Sequence, residues 1–250
     1  MPDEFVRFLH HGKPVWGQKK GQRLFLLDMA PWLDLNQTGE SVDAGGVERL
    51  VPAEPSKIVC VGLNYRDHAL EMGHALPVEP LLFLKPSTSL LDSGKSIRLP
   101  RGCGRVDYEA ELALVIGKTI GPGVDNDDAL FGFTCANDVT ARDLQKKDGQ
   151  WTRAKGFDTF CPLGPSLMHG LDAADLAIEC RVNGALKQSS RTSQLVFSPV
   201  QLVNFVAQIM TLNPGDVILT GTPSGIGPLT MGDEVEVRIQ DVGSLTNLVV

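Results

Sequence analysis

The sequence lacks the patterns that mark several common classes of protein. Its 250 residues include five cysteines, an odd number without CxxC spacing, so neither a disulfide framework nor a closed zinc site is expected. The net charge of −7 argues against nucleic-acid binding, which requires a basic surface. No apolar run approaches the roughly 20 residues that span a bilayer. The acidic N-terminus does not resemble a signal peptide, and we expect a cytoplasmic protein without a membrane partner.

Two common catalytic motifs are also missing. The glycine-rich segment 220–227 lacks the Gly-Lys-Ser/Thr of a P-loop, so nucleotide binding is not supported. No Gly-x-Ser-x-Gly elbow occurs, which removes support for serine-hydrolase chemistry. Segment 220–227 can still present backbone N–H groups and hydroxyls to an anionic substrate. The alternative is that it forms a wide turn between two strands.

The apolar pattern predicts a β-rich α+β protein. Residues 1–55 are predicted to form a small N-terminal meander of β-strands followed by a linker, and residues 56–250 the main domain. Strands outnumber helices and do not alternate regularly with them, which argues against Rossmann and TIM-barrel folds. The strongest helix start is Ser198-Pro199, and shorter helices are predicted over residues 64–72 and 138–147.

Two acids, Glu109 and Glu111, open an apolar run that ends at Ile116. We predict one strand over residues 108–116, with both acids on one face and apolar residues packed on the core from the other face. Carboxylates this close repel each other, and a divalent cation between them would remove the repulsion. Asp138 follows an apolar strand and is the best candidate for a third ligand. Three carboxylates without a His/Cys cluster favour Mg²⁺ or Mn²⁺ over Zn²⁺.

Each of these acids also has a structural interpretation. Glu109 and Glu111 can lie on a solvated edge strand, where charge discourages aggregation. Asp138 can be a helix N-cap, the commonest role for aspartate where a strand leads into a helix.

Three further segments carry side chains suited to catalysis or binding. His68 and Glu71 would share a helix face, either as a pair that activates water or as a solvated surface pair. Arg142 lies one helical turn after Asp138 and suits carboxylate recognition, with a structural ion pair as the alternative. Lys155 suits anion binding or stabilisation of an enolate, unless it is a surface lysine.

Five motifs, in this order, resemble those of the fumarylacetoacetate hydrolase superfamily. They are VGLNYRDH at 61–68, FLKP at 83–86, YEAEL at 108–112, NDVTARD at 137–143 and LTGTP at 219–223. The N-terminal meander also resembles the small first domain of many bacterial members. The chain looks most like the branch that contains acylpyruvases, oxaloacetate decarboxylases and hydroxyheptadienedioate isomerases.

The resemblance implies a mixed β-sandwich roll, a homodimer, and one Mg²⁺ or Mn²⁺ per subunit. It assigns metal binding to Glu109, Glu111 and Asp138, handling of the water or proton to His68 and Glu71, and substrate contacts to Arg142, Gln145, Thr222 and the catalytic Lys155. The resemblance does not decide the reaction, because members with the same ligands hydrolyse, decarboxylate or isomerise.

We therefore expect a metal-dependent enzyme that acts on small 2-oxo or β-diketo acids through an enolate. The favoured reaction is C–C bond cleavage, such as acylpyruvate hydrolysis or oxaloacetate decarboxylation. The first alternative is an isomerase or tautomerase of an unsaturated oxo-diacid in aromatic catabolism. An alternative of another class is a non-catalytic metabolite-binding protein.

Overall fold

The computed structural model describes residues 2–67, 75–124 and 127–250. Twenty strands and three α-helices lie wholly within these ranges. The strands are β1 (Asp3–His10), β2 (Lys13–Lys20), β3 (Arg23–Leu27), β4 (Gln37–Asp43), β5 (Arg49–Leu50), β6 (Ile58–Gly62), β7 (Leu81–Lys85), β8 (Leu90–Leu91), β9 (Ser96–Ile97), β10 (Val106–Tyr108), β11 (Ala110–Ile116), β12 (Leu130–Asn137), β13 (Thr140–Ala141), β14 (Cys161–His169), β15 (Ala177–Val182), β16 (Ala185–Arg191), β17 (Val217–Leu219), β18 (Gly227–Pro228), β19 (Glu234–Ile239) and β20 (Gly243–Val249). The helices are α1 (Arg142–Asp148), α2 (Thr152–Lys155) and α3 (Pro199–Ile209), with 3-10 turns at Ser87–Ser89, Asp127–Ala129 and Thr192–Gln194.

The described strands form three sheets. The largest follows the order β4-β3-β2-β1-β14-β12-β11-β17-β6-β7, with β5 paired to β1 and β8 paired to β14. A five-stranded sheet of order β16-β15-β19-β20-β9 packs on it, and a short sheet consists of β13, β10 and β18. The predicted β-rich α+β class, with one sheet stacked on another, is confirmed.

Strand β11 is buried on both faces, which explains the continuous apolar run after the acids. Leu112 and Leu114 belong to the core between the two large sheets, whereas Ala113 and Val115 belong to a second core on the opposite face. A strand without a solvent face loses the alternation of polar and apolar residues. The predicted packing of the even-numbered residues on the main core is confirmed.

The structure differs from the sequence prediction in the length of the strand that carries the acids. Residues 108–116 were expected to form one strand, but β10 and β11 are separate strands that belong to different sheets. The break falls at Glu109, whose backbone N–H donates to the side-chain oxygen of Asn137 at 2.9 Å. Glu109 therefore lies where the chain passes from one sheet to the next.

The helix predicted over residues 138–147 begins only at Arg142. Thr140 and Ala141 pair with β10 and form β13, which keeps the preceding residues extended. Asp138 therefore lies outside the helix and is not its N-cap, which is Ala141. The prediction that Asp138 and Arg142 are one helical turn apart is wrong. The helix predicted over residues 64–72 runs into residues 68–74, which lie outside the described residues.

The N-terminal segment joins the largest sheet. Strand β1 pairs with β14 in antiparallel register, from Asp3 opposite His169 to Phe5 opposite Leu167. The segment before residue 56 that was expected to be a linker contains strands β4 and β5. Their residues are largely polar and lack the apolar alternation by which a strand is predicted. The division into domains at residue 55 stays a prediction.

Helix α3 begins as the sequence predicts. The Ser198 hydroxyl accepts the N–H of Gln201, the Gln201 side chain accepts the N–H of Ser198, and Pro199 occupies the first turn. Of the helices in the described ranges, none is long and apolar enough to cross a membrane.

Asp216 fastens the start of β17 to the start of its parallel neighbour β6. Its carboxylate accepts the N–H and hydroxyl of Ser56 at 2.8 and 2.7 Å, the N–H of Asn213 at 2.8 Å, and the ammonium of Lys57. Burial alone would raise the pKa of this carboxyl, but the hydrogen bonds from Asn213, Lys57 and Ser56 outweigh it and hold the pKa below its usual value. The ionised carboxylate thus stabilises the fold.

We predict that Asp216→Asn lowers the free energy of unfolding by about 1–3 kcal/mol at pH 7, because hydrogen bonds to a charged acceptor are lost. The folded pKa lies below the unfolded value of about 4, so the wild-type advantage is complete above that pH and is lost as the pH falls through the folded pKa. Urea unfolding between pH 3 and 7 measures this. Asp175→Asn, at an exposed ion pair with Arg191, is the control and should change the free energy of unfolding much less than Asp216→Asn does. If the difference in free energy of unfolding between wild type and Asp216→Asn grew as the pH fell, the stabilising role of the ionised Asp216 carboxylate would be contradicted.

Candidate active site

The three predicted metal ligands lie together. One carboxylate oxygen from each of Glu109, Glu111 and Asp138 falls within 4.8 Å of the others, and all three residues are buried. Glu109 comes from the break between β10 and β11, Glu111 from β11, and Asp138 from the end of β12. The backbone N–H of Asp138 donates to the carbonyl of Glu109 at 2.9 Å, so the two segments are joined directly beside the cluster.

Two cationic side chains hold Glu109 in its ionised form. The Lys155 ammonium donates to its Oε2 at 2.7 Å, and the Arg142 guanidinium donates to Oε1. Burial alone would raise the pKa of Glu109, but the charges and hydrogen bonds of Arg142 and Lys155 outweigh burial and lower the pKa to about 2. The glutamate is therefore a carboxylate at neutral pH.

Asp138 lies between two buried lysines. Lys85 donates to its Oδ1 at 2.5 Å and Lys155 donates to its Oδ2 at 2.5 Å. Burial by itself lowers the pKa of a lysine, yet the charges of Asp138 and Glu109 raise the pKa of Lys155 above its usual value. Lys155 is thus a buried lysine and not a surface one. Its ammonium lines the cavity and also bridges the carboxylates of Glu109 and Asp138.

Glu111 differs from the other two acids. Its partner among the described residues is the backbone N–H of Gly221, which donates to Oε2 at 2.6 Å. Burial, together with the negative charges of Asp138 and Glu109, raises the pKa of Glu111 well above its usual range. Within the described ranges no cationic side chain forms an ion pair with this carboxyl, and a bound cation would supply the missing charge.

The oxygen ligands fit a hard divalent cation. Carboxylates from three separate backbone positions converge, which is the donor set that Mg²⁺ and Mn²⁺ prefer over zinc. The residues that would hold the ion are Glu109, Glu111 and Asp138.

Arg142, at the start of α1, is oriented by an acid that the sequence analysis did not single out. Its Nε donates to Asp107 at 2.8 Å, its Nη1 to Gln145 at 2.8 Å, and its Nη2 to Glu109. Asp107 is fully buried and also accepts two hydrogen bonds from Arg105. A guanidinium has five N–H donors, so two remain for a ligand. Asp107 precedes the acid pair in the same segment, but an Asp next to a Tyr carries no distinctive signal.

Thr222 and Gln145 are also brought to the site. Both line the same cavity as the acid cluster, together with Arg142 and Lys155. Thr222 is buried, and its hydroxyl accepts a hydrogen bond from the Gln188 amide at 2.8 Å. The glycine-rich segment after β17 therefore does more than connect two strands, because Gly221 contacts Glu111 and Thr222 faces the cavity.

The cavity has a volume of about 290 Å³ and an aromatic wall. Trp151 and Phe83 pack edge to face with ring centroids 5.1 Å apart, and the Lys155 ammonium lies 5.0 Å from the Phe83 centroid. Gly62 has no side chain to obstruct this wall, since a Cβ there would come within 3.0 Å of the Trp151 ring. The small volume, at the low end for ligand pockets, suits a small molecule.

The predicted pair His68 and Glu71 lies outside the described residues. Its assignment to proton handling stays a prediction from the sequence motif. The described residues of the same motif do lie at the site, since Gly62 and Leu63 line the cavity.

Comparison with family models identifies the chain. Residues 57–250 match the model described as fumarylacetoacetate (FAA) hydrolase C-terminal, which is most of the sequence. The chain belongs to the fumarylacetoacetate hydrolase superfamily. Residues 4–52 match a second model, described as Rv2993c-like, N-terminal. The resemblance based on the five motifs is thereby confirmed.

Members of the superfamily with different named activities are similar to this chain. It is 46% identical to a mitochondrial oxaloacetate tautomerase of Rattus norvegicus, over 100% of this chain and 80% of the relative. The structure of a 2-hydroxyhepta-2,4-diene-1,7-dioate isomerase from Mycobacterium marinum superposes with a TM-score of 0.91 at 40% identity, covering 99% of this chain and 98% of that one. A fumarylacetoacetate hydrolase from Exiguobacterium antarcticum gives 0.88 at 33% identity, covering 99% of both chains.

We predict that Lys85→Met lowers the free energy of unfolding by roughly 3–5 kcal/mol. The substitution removes one of the two buried lysines that pair with Asp138 and leaves its Oδ1 unpaired. Chemical unfolding in EDTA measures the change. Lys95→Met is the matched control, since Lys95 makes an ion pair of similar length with Glu48 but both side chains are 51% exposed. The control should lose much less stability than Lys85→Met, because solvent screens an exposed ion pair. Equal losses in the two variants would show that Lys85 does not stabilise the acid cluster.

Proposed function

We propose that this protein is a Mg²⁺- or Mn²⁺-dependent enzyme that transfers a proton on short 2-oxo acids by way of an enolate. The observation that carries the proposal is the convergence of three buried carboxylates, Arg142 and Lys155 on one small cavity. Such a site can bind a cation and an anionic ligand side by side. The reaction is keto–enol tautomerisation or the related isomerisation, in which a proton leaves one atom of the substrate and returns to another.

The chain's own residues have distinct roles in this proposal. Arg142 binds the substrate carboxylate through its two unused N–H groups, held in place by Asp107 and Gln145. Lys155 places positive charge next to the developing enolate oxygen, where a buried charge is most effective. His68 and Glu71 take and return the proton, an assignment that rests on the sequence motif.

When bound, the divalent cation would polarise the substrate ketone as a Lewis acid. Glu109, Glu111 and Asp138 would hold it. The rings of Phe83 and Trp151 form an apolar wall of the cavity beside these charges.

Proton transfer is preferred over C–C bond cleavage because similar proteins are named for it. The tautomerase of Rattus norvegicus and the isomerase of Mycobacterium marinum both carry names of this reaction class. Cleavage is the second candidate, supported by the similarity to the fumarylacetoacetate hydrolase of Exiguobacterium antarcticum. Both reactions proceed through the same enolate, so the roles of Arg142 and Lys155 are unchanged.

We also propose that the protein is a homodimer that binds a 2-oxo acid. The support is membership of the superfamily. Light scattering after gel filtration measures the assembly, and a monomeric mass would reject the dimer.

We predict that metal removal abolishes turnover. EDTA-stripped protein is incubated with and without Mg²⁺ or Mn²⁺ on oxaloacetate, acetylpyruvate, fumarylpyruvate and 2-hydroxyhepta-2,4-dienedioate, while enol absorbance is followed and products are identified by mass. An isomer of unchanged mass supports proton transfer, whereas CO₂ or pyruvate plus an acid supports cleavage.

Glu109→Ala/Glu111→Ala should lower kcat/KM by roughly 100-fold or more. Full activity in EDTA, or in the double variant, would reject the proposal. Binding of Mg²⁺ and oxalate without any turnover would favour a metabolite-binding protein.

We predict that His68→Ala lowers kcat by about 100-fold while the Mn²⁺ dissociation constant stays within roughly twofold, because a general acid–base group acts on the proton and not on the metal. Steady-state kinetics and Mn²⁺ titration by electron paramagnetic resonance measure the two effects. Parallel losses of turnover and metal affinity would contradict the assignment.

A further inference from the structure

A buried glutamine on β16 connects two parts of the site. Gln188 is 1% exposed, and its side-chain oxygen accepts the backbone N–H of Ala110 at 3.0 Å. Its amide nitrogen donates to the Thr222 hydroxyl and to the Pro223 carbonyl, both at 2.8 Å. Ala110 lies between Glu109 and Glu111, so Gln188 joins the acid-bearing segment to the segment that follows β17.

The direction of these hydrogen bonds is fixed by chemistry. A backbone N–H can only donate, so the group that faces Ala110 must be the glutamine oxygen. A backbone carbonyl can only accept, so the group that faces Pro223 must be the amide nitrogen. Both neighbours therefore select the same orientation of the Gln188 amide, and no alternative flip satisfies them.

This orientation decides what the Thr222 hydroxyl can do. The hydroxyl accepts an N–H from Gln188, which leaves its own proton to be donated elsewhere. Among the hydrogen bonds of the described residues, none has the Thr222 hydroxyl as its donor, although Thr222 is only 5% exposed. Thr222 lines the cavity beside Glu111 and Asp138. The unused donor is therefore available to a molecule bound there.

We propose that Gln188 is a positioning residue that orients the Thr222 hydroxyl so that its proton is donated to an acceptor oxygen of the bound acid. The inference rests on the proposed function for the identity of that acid and deepens it. The group next to Thr222 is a carboxylate or ketone oxygen. Gln188 itself does not touch the ligand.

The experiment is a double-mutant cycle on ligand binding. Calorimetry measures the dissociation constant of oxalate, which offers only acceptor oxygens, in the presence of saturating Mg²⁺. Thr222→Val should weaken oxalate binding about tenfold or more, because a hydrogen bond to a charged group is lost. Thr222→Ser should stay within roughly threefold. Gln188→Met should weaken binding by about five- to tenfold, because the Thr222 hydroxyl then has no fixed N–H to accept and its proton no longer points to the ligand in a single orientation.

The decisive result is the combination of the two substitutions. Gln188→Met should add no more than about twofold to the effect of Thr222→Val, because both remove the same donor. A glutamine that merely supports the fold would instead weaken binding equally in both backgrounds, and that outcome overturns the proposal. It is overturned as well if Thr222→Val leaves oxalate affinity unchanged, or if the wild-type protein binds no oxalate.

Two controls separate positioning from general damage. Asn247→Leu removes another buried amide, which donates to the carbonyls of Asp92 and Lys95 away from the cavity, and should lower stability without changing oxalate affinity. The Mn²⁺ dissociation constant should stay within roughly twofold in every variant, because the acid cluster is untouched. If Gln188→Met does not fold, Gln188→Leu replaces it, since it also removes the donor to Thr222 and adds no charge beside the acid cluster.

The test does not depend on turnover. Oxalate binding with the predicted non-additivity, but without activity on any 2-oxo acid, would reject the proposed reaction and leave the role of Gln188 standing. Activity on a 2-oxo acid, together with additive effects of Gln188→Met and Thr222→Val on oxalate binding, would support the proposed reaction and reject the role of Gln188.

Discussion

Three carboxylates buried within a few ångströms of one another create the repulsion that the rest of the site must balance. Lys85, Lys155 and Arg142 balance Glu109 and Asp138 directly, and each of these cations is itself anchored by a second contact. Pairs of this kind are costly to bury and costly to break. The acid cluster therefore constrains β7, α1 and α2 as well as the segments that carry the acids.

The position of the cluster follows from how the sheets meet. Strand β11 lies in the largest sheet and β10 in the short one, and the chain changes sheet at Glu109. A residue at such a break is free of ladder pairing, so its side chain and backbone can serve the site. The neighbouring backbone groups are satisfied by Asn137, Gln188 and Asp138, which keeps a polar segment stable inside an apolar core.

Much of the fold and the grouping of the three acids could be predicted from the sequence, because apolar runs and the spacing of acids carry local signals. The Ser198-Pro199 helix start and the packing face of residues 108–116 are examples. Other features depend on contacts distant in sequence. Asp138 looked like part of a helix because only the pairing of Thr140 with Asp107 keeps the segment extended. Lys85, Asp107 and Gln188 show their roles only when strands far apart in the chain bring them to the acids.

The pairing of β1 with β14 has a consequence for how the two segments of this chain can be separated. Phe5, Trp16 and Leu27 share one apolar core with Val115 and Leu219 of the larger segment. A protein shortened to begin at residue 57 would lose five of the fifteen buried residues of that core and uncover both the apolar surface and the hydrogen-bonding edge of β14. Open edges of this kind pair with other chains. The N-terminal strands thus cover a sheet edge and an apolar surface that residues 57–250 alone would expose to solvent.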